Sequence, residues 1–295
     1  MKIGIDGNEA NVEKPVGVSV YTLNLLYYFN NQSNSDLRFE VFLKNKPGTN
    51  LPSETDFFKY KVVKPDFLWS QISLPLKLKL ASIIDIFFSP AHYAPRFYND
   101  KLVVTIHDLS YYYYPLDFLK RDLYKLMNWT KYSVKKAKKI IAVSESTKKD
   151  IVKFLDVPKN KIKVIYNGFE KKEANTKGQI KRLITSPYIL YVGTLQPRKN
   201  LKTLIYAYSY FKKNNREFKL VIAGKKGWLY ENILNEVKSL GLVNEILFMD
   251  FVNDEKLINL YKNAFCLVLP SFYEGFGIPP LEAMSYHCPV ICSDT

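Results

Sequence analysis

Apolar residues along the chain alternate between short continuous runs and longer stretches in which they recur with a helical period. The continuous runs predict buried strands, and the periodic stretches predict amphipathic helices. The predicted strands are KIGID (2–6), FEVFL (39–43), YKVV (60–63), DIFFS (85–89), LVVTIH (102–107), IIAVS (140–144), KVIYNG (163–168), YILYVG (188–193), KLVIAG (219–224), EILFM (245–249), FCLVLPS (265–271) and PVICSD (289–294). The predicted helices cover 18–29, 117–139, 146–155, 200–213, 228–240, 254–264 and 280–287. This alternation is typical of parallel sheets with helices on both faces, so we predict an α/β fold.

One segment interrupts the alternation and predicts a domain boundary. Residues 170–186, EKKEANTKGQIKRLITS, are charged, have no apolar period and end before Pro187. We therefore predict an N-terminal domain at 1–170, a linker at 171–186 and a C-terminal domain at 187–295, both domains being doubly wound. The last predicted strand lies close to the end of the chain, where a doubly wound domain usually continues with a helix. We expect the second domain to be incomplete.

The composition adds a basic surface to this fold. The formal net charge is +15, and basic side chains outnumber acidic ones in both halves of the chain. Such a surface suits nucleic acid, anionic lipid or phosphorylated small molecules, although many lysine-rich surfaces have no such partner. No apolar run is long enough for a membrane span, and the first residues form no signal core, so we expect a cytoplasmic protein.

Three cysteines, Cys266, Cys288 and Cys292, lie near the end of the chain. Cys288 directly precedes the last predicted strand and Cys292 lies within it, and residues four apart along a strand are separated by about 13 Å, too far to share one metal ion. We expect reduced thiols that pack in the core, and no metal site.

The segment SFYEGFGIPPLEAMS, residues 271–285, places two carboxylates beside open backbone and a helix start. Glu274 lies in the loop after a buried strand, and Glu282 lies in the first turn of the predicted helix, after two prolines. Gly275 and Gly277 let backbone amides approach a ligand closely. A pocket between two carboxylates and a helix N-terminus suits the hydroxyls of a sugar or ribose. The spacing is equally compatible with a Glu282 that only stabilises the helix and a solvated Glu274.

The segment YVGTLQPRKNL, residues 191–201, carries two cations to the start of another predicted helix. Arg198 and Lys199 precede Asn200, a plausible N-cap residue, at the end of the helix where positive charge is unfavourable. A bound dianion such as a diphosphate would explain this placement, and we favour that interpretation over a solvated loop.

Two loops in the first half end with candidate ligand contacts. His107 follows a buried strand in VVTIHDLS, where an imidazole can hydrogen-bond a phosphate or a sugar hydroxyl, or can be purely structural. Gly17 opens the first predicted helix after a polar loop and is a weaker candidate for a phosphate contact. The chain has no G-x-G-x-x-G motif, which argues against a dinucleotide site.

Taken together, these motifs resemble those of the retaining glycosyltransferases of family 4, which have the GT-B fold. YEGFGIPPLEAMSYHCPV resembles the E-x7-E signature of that family. Further blocks resemble the family in the same order: LVVTIHDLSYYYYP, IIAVSESTKKDI, VIYNGFE, VGTLQPRKNLKTLI and LVIAGKKGW. The resemblance extends from about residue 1 to 295 and is strongest to bacterial mannosyltransferases of cell-surface polysaccharide assembly.

The resemblance implies two Rossmann-like domains facing a cleft, with a nucleotide-diphosphate-sugar donor held mainly by the second and an acceptor by the first. The catalytic residues that it implies are His107, Glu274, Arg198 and Lys199. The donor-binding residues that it implies are Gly17, Phe276, Gly277, Glu282 and Val252, the last in a segment that would lie against the base. No cofactor or metal is implied, because cationic side chains stabilise the leaving diphosphate. The favoured donor is GDP-mannose, and the acceptor class is a glycan or a lipid-linked glycan.

The sequence departs from the family pattern at a few positions. Thr194 and Asp250 stand where the family often has arginine and glycine, respectively, and Arg198 is able to supply the missing charge. Members of the family also continue for several more elements after the position of Glu282. We therefore expect this chain to correspond to a C-terminally truncated member.

Several alternative functions remain open at this stage. The same fold supports a nucleotide-sugar epimerase or hydrolase, and a truncated chain is also compatible with an inactive remnant. A nucleic-acid-binding module is disfavoured, because the charge is distributed and no nucleic-acid motif occurs. The helix at 117–139 and the run Tyr111–Tyr114 suit peripheral contact with an anionic membrane on its inner face, but packing of the tyrosines is slightly favoured.

Overall fold

The computed structural model describes residues 1–80, 84–98, 101–169, 171 and 182–295. The chain forms two compact units, one of Met1–Tyr113 with Leu119–Asn167 and the other of Tyr114–Phe118 with Gly168–Thr295. Most of the predicted linker, at 172–181, lies outside the described residues, so the exact domain boundaries stay predictions.

The first unit is built on a parallel sheet of seven strands within the described residues. Its strands are β1 (Lys2–Asp6), β2 (Arg38–Leu43), β3 (Phe58–Val62), β4 (Ile86–Ser89), β5 (Leu102–Ile106), β6 (Lys139–Ala142) and β7 (Ile162–Val164). Its helices are α1 (Val18–Gln32), α2 (Ser73–Leu80), α3 (Ser110–Tyr113), α4 (Lys120–Lys136) and α5 (Glu145–Leu155). The strand order is β3-β2-β1-β4-β5-β6-β7, so the chain reverses its direction of winding between β1 and β4.

The second unit repeats this plan with five strands within the described residues. Its strands are β8 (Tyr188–Val192), β9 (Lys219–Ala223), β10 (Ile246–Phe248), β11 (Cys266–Leu269) and β12 (Val290–Cys292). Its helices are α6 (Leu201–Lys212), α7 (Glu231–Ser239), α8 (Asp254–Asn263) and α9 (Ile278–Ser285). The order β10-β9-β8-β11-β12 places the reversal between β8 and β11, and all pairings are parallel.

Each sheet is covered on both faces because its strands are apolar at consecutive positions. In the second unit, Leu190 and Val221 belong to one core cluster, whereas the next residue of each strand, Tyr191 and Ile222, belongs to the cluster on the opposite face. Strands that are buried on both sides are typical of doubly wound α/β domains. The predicted fold class, two doubly wound parallel-sheet domains, is confirmed.

The reversal points matter for function, because ligands of open α/β sheets bind beyond the carboxyl ends of the strands at this position. In the second unit, the loops that leave β8 and β11 carry the PRKN and E-x7-E segments. In the first unit, the loops that leave β1, β4 and β5 meet at the corresponding edge. The topology therefore brings sequence-distant motifs to one edge of each sheet.

Three tyrosines of the run Tyr111–Tyr114 lie in α3 and contact other residues of the first unit. Tyr111 is buried, and the Tyr112 ring stacks on Phe154 with centroids 4.7 Å apart. The Tyr113 hydroxyl donates a hydrogen bond of 2.7 Å to Asp150 Oδ1. Tyr111 and Tyr112 are therefore packing residues, whereas Tyr113 is exposed and held by its hydrogen bond to Asp150. Helix α4 is shorter than the predicted helix because a 3₁₀ turn and an extended residue precede it.

Candidate active site

The loops after β8 and β11 are tied together at the reversal point of the second unit. Asn200 Nδ2 donates a hydrogen bond of 3.0 Å to the carbonyl oxygen of Pro270, and the Phe272 amide donates one of 3.0 Å to the carbonyl oxygen of Arg198. Asn200 adopts a left-handed conformation, with φ of 55°, which asparagine tolerates better than most residues. It occupies the N-cap position as predicted, but its side chain fixes the neighbouring loop instead of capping α6.

This connection places two cations around one carboxylate. Lys199 Nζ forms an ion pair and a hydrogen bond with Glu274 Oε1, which also accepts a hydrogen bond of 2.6 Å from the Ser271 hydroxyl. Arg198 Nη1 lies 3.8 Å from Glu274 Oε2 and donates to the carbonyl oxygen of Tyr273 at 3.2 Å. The structure thus brings together three of the residues that the sequence predicted, from segments more than seventy positions apart.

The cluster retains an excess of positive charge in a sheltered position. The side chains of Arg198, Lys199 and Glu274 are 15%, 13% and 18% exposed, respectively. These three side chains carry a formal charge of +1, and the Asp117 carboxylate of the same unit also interacts electrostatically with Arg198. Partial removal from water strengthens the attraction of the two cations for an anion. The carboxylate oxygens are acceptors that suit sugar hydroxyls, whereas the cations suit a diphosphate.

Helix α9 begins directly after this cluster. Gly277 is its N-cap residue in a left-handed conformation, with φ of 83°, and Ile278 is the first helical residue, followed by the two prolines. Glu282 therefore lies in the second turn and not in the first turn, as the sequence had predicted. That prediction was wrong because the helix starts before the prolines and not at the second one. Glu282 consequently does not act as a first-turn residue that favours the helix N-terminus.

A tyrosine that sequence reasoning missed orients Glu282. The Tyr261 hydroxyl, on α8, donates a hydrogen bond of 2.8 Å to Glu282 Oε2. Tyr261 is buried, and its ring stacks on Tyr286 with centroids 5.9 Å apart. Burial and the adjacent Glu282 carboxylate raise the pKa of Tyr261, so the hydroxyl remains a donor at neutral pH. No local motif marks Tyr261, because its pairing with Glu282 depends on how α8 and α9 pack.

Glycines allow the loops at this edge to approach closely. A Cβ atom on Gly224 would lie 1.9 Å from the carbonyl oxygen of Gly193, so only glycine fits between the ends of β8 and β9. The amide of Gly224 in turn donates a hydrogen bond of 2.7 Å to the carbonyl oxygen of Asp250. The ends of β8, β9 and β10 are thereby held in register beneath the loops.

The segment that the resemblance places against the base follows β10. Asp250 adopts φ of 46°, a left-handed conformation that glycine and aspartate accommodate more readily than bulky residues. The conformation explains why aspartate can stand where the family often has glycine. Val252 packs against the core of the second unit, and Phe276, in the loop before α9, is half-buried.

In the first unit, His107 lies at the carboxyl end of β5. Its Nε2 atom is 2.7 Å from the carbonyl oxygen of Pro90, an acceptor, so Nε2 carries the proton. Burial lowers the pKa of His107, which favours the neutral ring. Nδ1 is then a hydrogen-bond acceptor, so the site is suited to receive a hydroxyl donor instead of donating to a phosphate. The edge of the ring packs against Tyr21, with centroids 4.8 Å apart.

A second histidine that sequence reasoning missed lies beside His107. The ring centroids of His92 and His107 are 5.7 Å apart, since the loops that leave the neighbouring strands β4 and β5 meet here. His92 Nδ1 is buried without a hydrogen-bond partner among the described residues. Burial, reinforced by His107, lowers the pKa of His92 to about 4. Its position in SPAHYAP matches no catalytic motif, so only the fold reveals it.

Gly17 is the N-cap residue of α1 with φ of 53°, and an added Cβ would meet no atom within 4 Å. It therefore borders open space at the start of a helix, as a phosphate contact requires. Gly17 and His107 belong to the first unit, whereas the other candidate residues belong to the second.

Comparison with known proteins identifies the class to which this arrangement belongs. Residues 17–173 match Glycosyltransferase Family 4, and residues 172–295 match Glycosyl transferases group 1. The chain is therefore a member of glycosyltransferase family 4.

Two bacterial mannosyltransferases are similar in sequence. O-antigen chain mannosyltransferase B of Escherichia coli is 32% identical over 222 residues, covering 69% of this chain and 56% of the relative. O-antigen chain mannosyltransferase RfbU of Salmonella typhimurium is 33% identical over 196 residues, covering 65% of this chain and 51% of the relative. The chain thus spans about half the length of these relatives.

Solved structures share the fold at low sequence identity. Sucrose-phosphate synthase from Thermosynechococcus elongatus superposes with a TM-score of 0.76 at 16% identity, covering 100% of this chain and 81% of the other. HepE of Anabaena, in complex with UDP and glucose, superposes with a TM-score of 0.71 at 19% identity, covering 100% and 80%. These similarities establish the GT-B architecture. Among the described residues, no helix has the length and apolar character of a membrane span.

Proposed function

We propose that the protein is a retaining glycosyltransferase that moves a hexose from a nucleotide-diphosphate sugar to a glycan or lipid-linked acceptor in cell-surface polysaccharide synthesis. The observation that carries this proposal is the cluster of Arg198, Lys199 and Glu274 at the reversal point of the second sheet. It combines anion-binding cations with a hydroxyl-binding carboxylate within one hydrogen-bonded group.

The cations act on the leaving group. In the proposed reaction the bond between the anomeric carbon and the diphosphate oxygen breaks through an oxocarbenium-like transition state. Negative charge then grows on the diphosphate, and Arg198 and Lys199 stabilise it more strongly than they stabilise the intact donor. The acceptor oxygen bonds to the same face of the anomeric carbon, and its proton passes to the departing diphosphate. No cofactor, metal or protein nucleophile is needed for this step.

The two glutamates take different parts of the donor. Glu274 accepts hydrogen bonds from hydroxyls of the transferred sugar, while the Phe276 and Gly277 amides lie near sugar and phosphate. Glu282, oriented by Tyr261, accepts hydrogen bonds from the ribose hydroxyls. Because each carboxylate already has an oriented oxygen, little side-chain entropy remains to be lost on binding.

In this proposal, the first unit contributes neutral imidazole rings and a backbone amide to ligand binding. His107, with its proton on Nε2, accepts a hydrogen bond from a sugar hydroxyl through Nδ1. His92 Nδ1 supplies a second polar contact beside it, and a bound ligand would give this buried atom the hydrogen-bond partner that the protein does not provide among the described residues. Gly17 offers a backbone amide to phosphate at the start of α1.

GDP-mannose is the favoured donor. Its support is the similarity to two relatives that are named mannosyltransferases. A fold relative at 19% identity is bound to UDP, so uridine donors are the competing class. We further propose that the protein acts in the cytoplasm, with peripheral access to the inner face of the membrane and no nucleic-acid partner.

A panel of thermal-shift measurements tests the donor class. The protein is heated with GDP, UDP and ADP and with their hexose conjugates, and ligand at about 100 times its dissociation constant should add roughly 2.7 kcal/mol of stability. We expect the largest rise in melting temperature with GDP and GDP-mannose. Release of GDP from GDP-mannose only when an acceptor glycan is added would identify a transferase, whereas equal release without an acceptor would identify a hydrolase. No shift with any nucleotide would contradict the proposed site.

A further inference from the structure

A short segment from the first half of the chain packs on the second unit. Residues Tyr114–Phe118 belong to that unit, although the residues on both sides of them belong to the first. This segment, the strap, contains a turn of 3₁₀ helix at Pro115–Asp117. The Asp117 amide donates a hydrogen bond of 3.1 Å to the Tyr114 carbonyl oxygen, and the Phe118 amide donates one of 3.3 Å to the Pro115 carbonyl oxygen. These bonds give the strap a defined backbone shape.

An aromatic contact anchors each end of the strap. The Tyr114 ring stacks on Phe272, in the loop after β11, with centroids 6.1 Å apart. The Phe118 ring packs on Trp228, in the loop after β9, with centroids 5.5 Å apart. Leu116, between the two anchors, is 91% exposed, so one side of the strap faces solvent. The other side faces the second unit.

The two anchors lie on either side of the loop that follows β8 and carries the PRKN segment. In the sheet, β8 stands between β9 and β11. Strands two positions apart are separated by about 10 Å, a distance that the strap covers between its two aromatic residues. Both anchored loops also bond to the loop between them. The Phe272 amide donates to the Arg198 carbonyl oxygen at 3.0 Å, and the Gly227 amide donates to the Leu195 carbonyl oxygen at 3.1 Å. The strap therefore crosses the loop that carries Arg198 and Lys199.

This crossing brings a second carboxylate to the cation cluster. Asp117 lies between the two anchors and is half-buried. Burial raises the pKa of its carboxyl group, and the Arg198 guanidinium opposes that rise. Asp117 and Glu274 together match the two positive charges of Arg198 and Lys199. An anion that enters the site is therefore attracted by two cations and repelled by two carboxylates.

Such a balanced site is sensitive to the number of negative charges on its ligand. The diphosphate of a nucleotide sugar is esterified at both ends, so it has no second ionisation. The terminal phosphate of a free nucleoside diphosphate has a second ionisation with a pKa of about 6, which adds roughly one negative charge at about pH 7.5. The free diphosphate is therefore the ligand that a nearby carboxylate repels more strongly.

We propose that Asp117 is a specificity-determining residue, which disfavours the free nucleoside diphosphate relative to the sugar-bearing donor and thereby promotes product release. In the proposed reaction, the departing diphosphate receives the proton of the acceptor hydroxyl. Its additional charge develops when that proton is lost to water, after the sugar has been transferred. The repulsion by Asp117 then acts on the product more than on the donor. This inference rests on the proposed function and adds to it the step that empties the site.

Calorimetric titration with GDP and GDP-mannose, and with UDP and UDP-glucose, tests the proposal at about pH 7.5 in the presence of EDTA. The test variant is Asp117→Asn, which removes the charge and keeps the shape of the side chain. The control is Glu217→Gln, which removes a charge from an exposed position just before β9, at the opposite end of the strands from the site. Circular dichroism should show the same fold and melting for both variants as for the wild type.

We expect Asp117→Asn to bind the free nucleoside diphosphate roughly threefold to tenfold more tightly than the wild type does, with a smaller gain for the sugar conjugate. The Glu217→Gln control should bind both ligands as the wild type does. If Asp117→Asn gained equally for both ligands, or bound the free diphosphate no more tightly than the wild type, the proposal would be overturned and the proposed function would stand. Absence of nucleotide binding by the wild type would instead overturn the proposed donor site, and this inference with it.

Discussion

Glu274 changes how the two cations of the PRKN segment are understood. The sequence placed Arg198 and Lys199 at a helix N-terminus, where positive charge is unfavourable without a bound anion. The structure supplies part of the compensation from within, because Glu274 pairs with both. In the proposed function, the excess of cations over Glu274, and not an unbalanced pair, would attract the diphosphate.

Tyr261 provides a prediction about positioning. Tyr261→Phe removes the hydrogen bond to Glu282 and should weaken nucleotide binding by about 1 kcal/mol, or roughly fivefold. The control is Tyr208→Phe, which removes a buried hydroxyl that donates to backbone carbonyl oxygens elsewhere in the second unit. Calorimetric titration should show weaker binding only for Tyr261→Phe, and equal affinities for the two variants would refute the positioning role.

His92 provides a prediction about pH. The unfolded chain binds a proton at this imidazole near its ordinary pKa of 6.5, whereas the folded chain binds it only near 4. The free energy of unfolding should therefore fall as the pH drops from about 6.5 to 4, with His92 contributing up to about 3 kcal/mol.

In His92→Gln this contribution is absent. Urea unfolding of both proteins at about pH 8 and pH 4.5 checks the effect, because both are uncharged at this position at the higher pH. The variant should gain stability relative to the wild type on acidification. If the two proteins differed in unfolding free energy by the same amount at both pH values, His92 would not be held neutral by the fold.

Among the structural elements, the ends of β8 and β9 depend on the close approach of two backbone segments, at Gly193 and Gly224. Gly224→Ala would drive a Cβ atom into the carbonyl of Gly193 and should cost about 3 kcal/mol of stability. Gly241→Ala is the matched control, because Gly241 has φ of 67° but no atom within 4 Å of the added Cβ. That variant should lose only about 1 kcal/mol, from the left-handed backbone. If chemical denaturation showed that the two variants lose similar amounts of stability, close packing at Gly224 would not be the cause.

The elements also show what the sequence can predict. Strands such as β5 and β9 were predictable because a strand that is buried on both faces must be continuously apolar. Helix α2 was not predicted, because Leu76–Leu80 alternates leucine with lysine at the period of a strand and becomes a helix only through the packing of Leu74 and Leu78. Likewise, the start of α9 was placed too late, which put Glu282 in the wrong turn.

The residues of the candidate site also fall into those that the sequence predicted and those that it did not. The sequence predicted the residues within recognisable segments, and the structure brings Arg198 and Lys199 to Glu274. The sequence alone could not reveal Tyr261 or His92, because the residues beside them, Glu282 and His107, come from other helices or loops at the same edge of the sheet. Residues that act through tertiary contacts leave no local signal.

At the scale of the whole molecule, the net charge of +15 raises the question of nucleic acid. The charge is distributed over both halves of the chain, and the proposed function gives part of it another use in binding a phosphorylated donor. We expect no retention of duplex or single-stranded DNA in gel-shift assays at about 150 mM salt, although weak, salt-sensitive binding at low salt would follow from charge alone. Sequence-selective binding that persists at high salt would contradict this expectation.

In the proposed function, the Arg198–Lys199–Glu274 cluster binds the diphosphate of a nucleotide sugar. Calorimetric titration with GDP and GMP isolates the second phosphate, and the comparison is made for the wild type, Arg198→Ala and Lys202→Ala. Lys202 is the matched control, since it removes the same charge from an exposed position in the adjoining helix. We predict that the wild type and Lys202→Ala prefer GDP to GMP by roughly tenfold or more, and that Arg198→Ala loses most of that preference. An unchanged preference in Arg198→Ala, or equal binding of GDP and GMP by the wild type, would contradict diphosphate binding by this cluster.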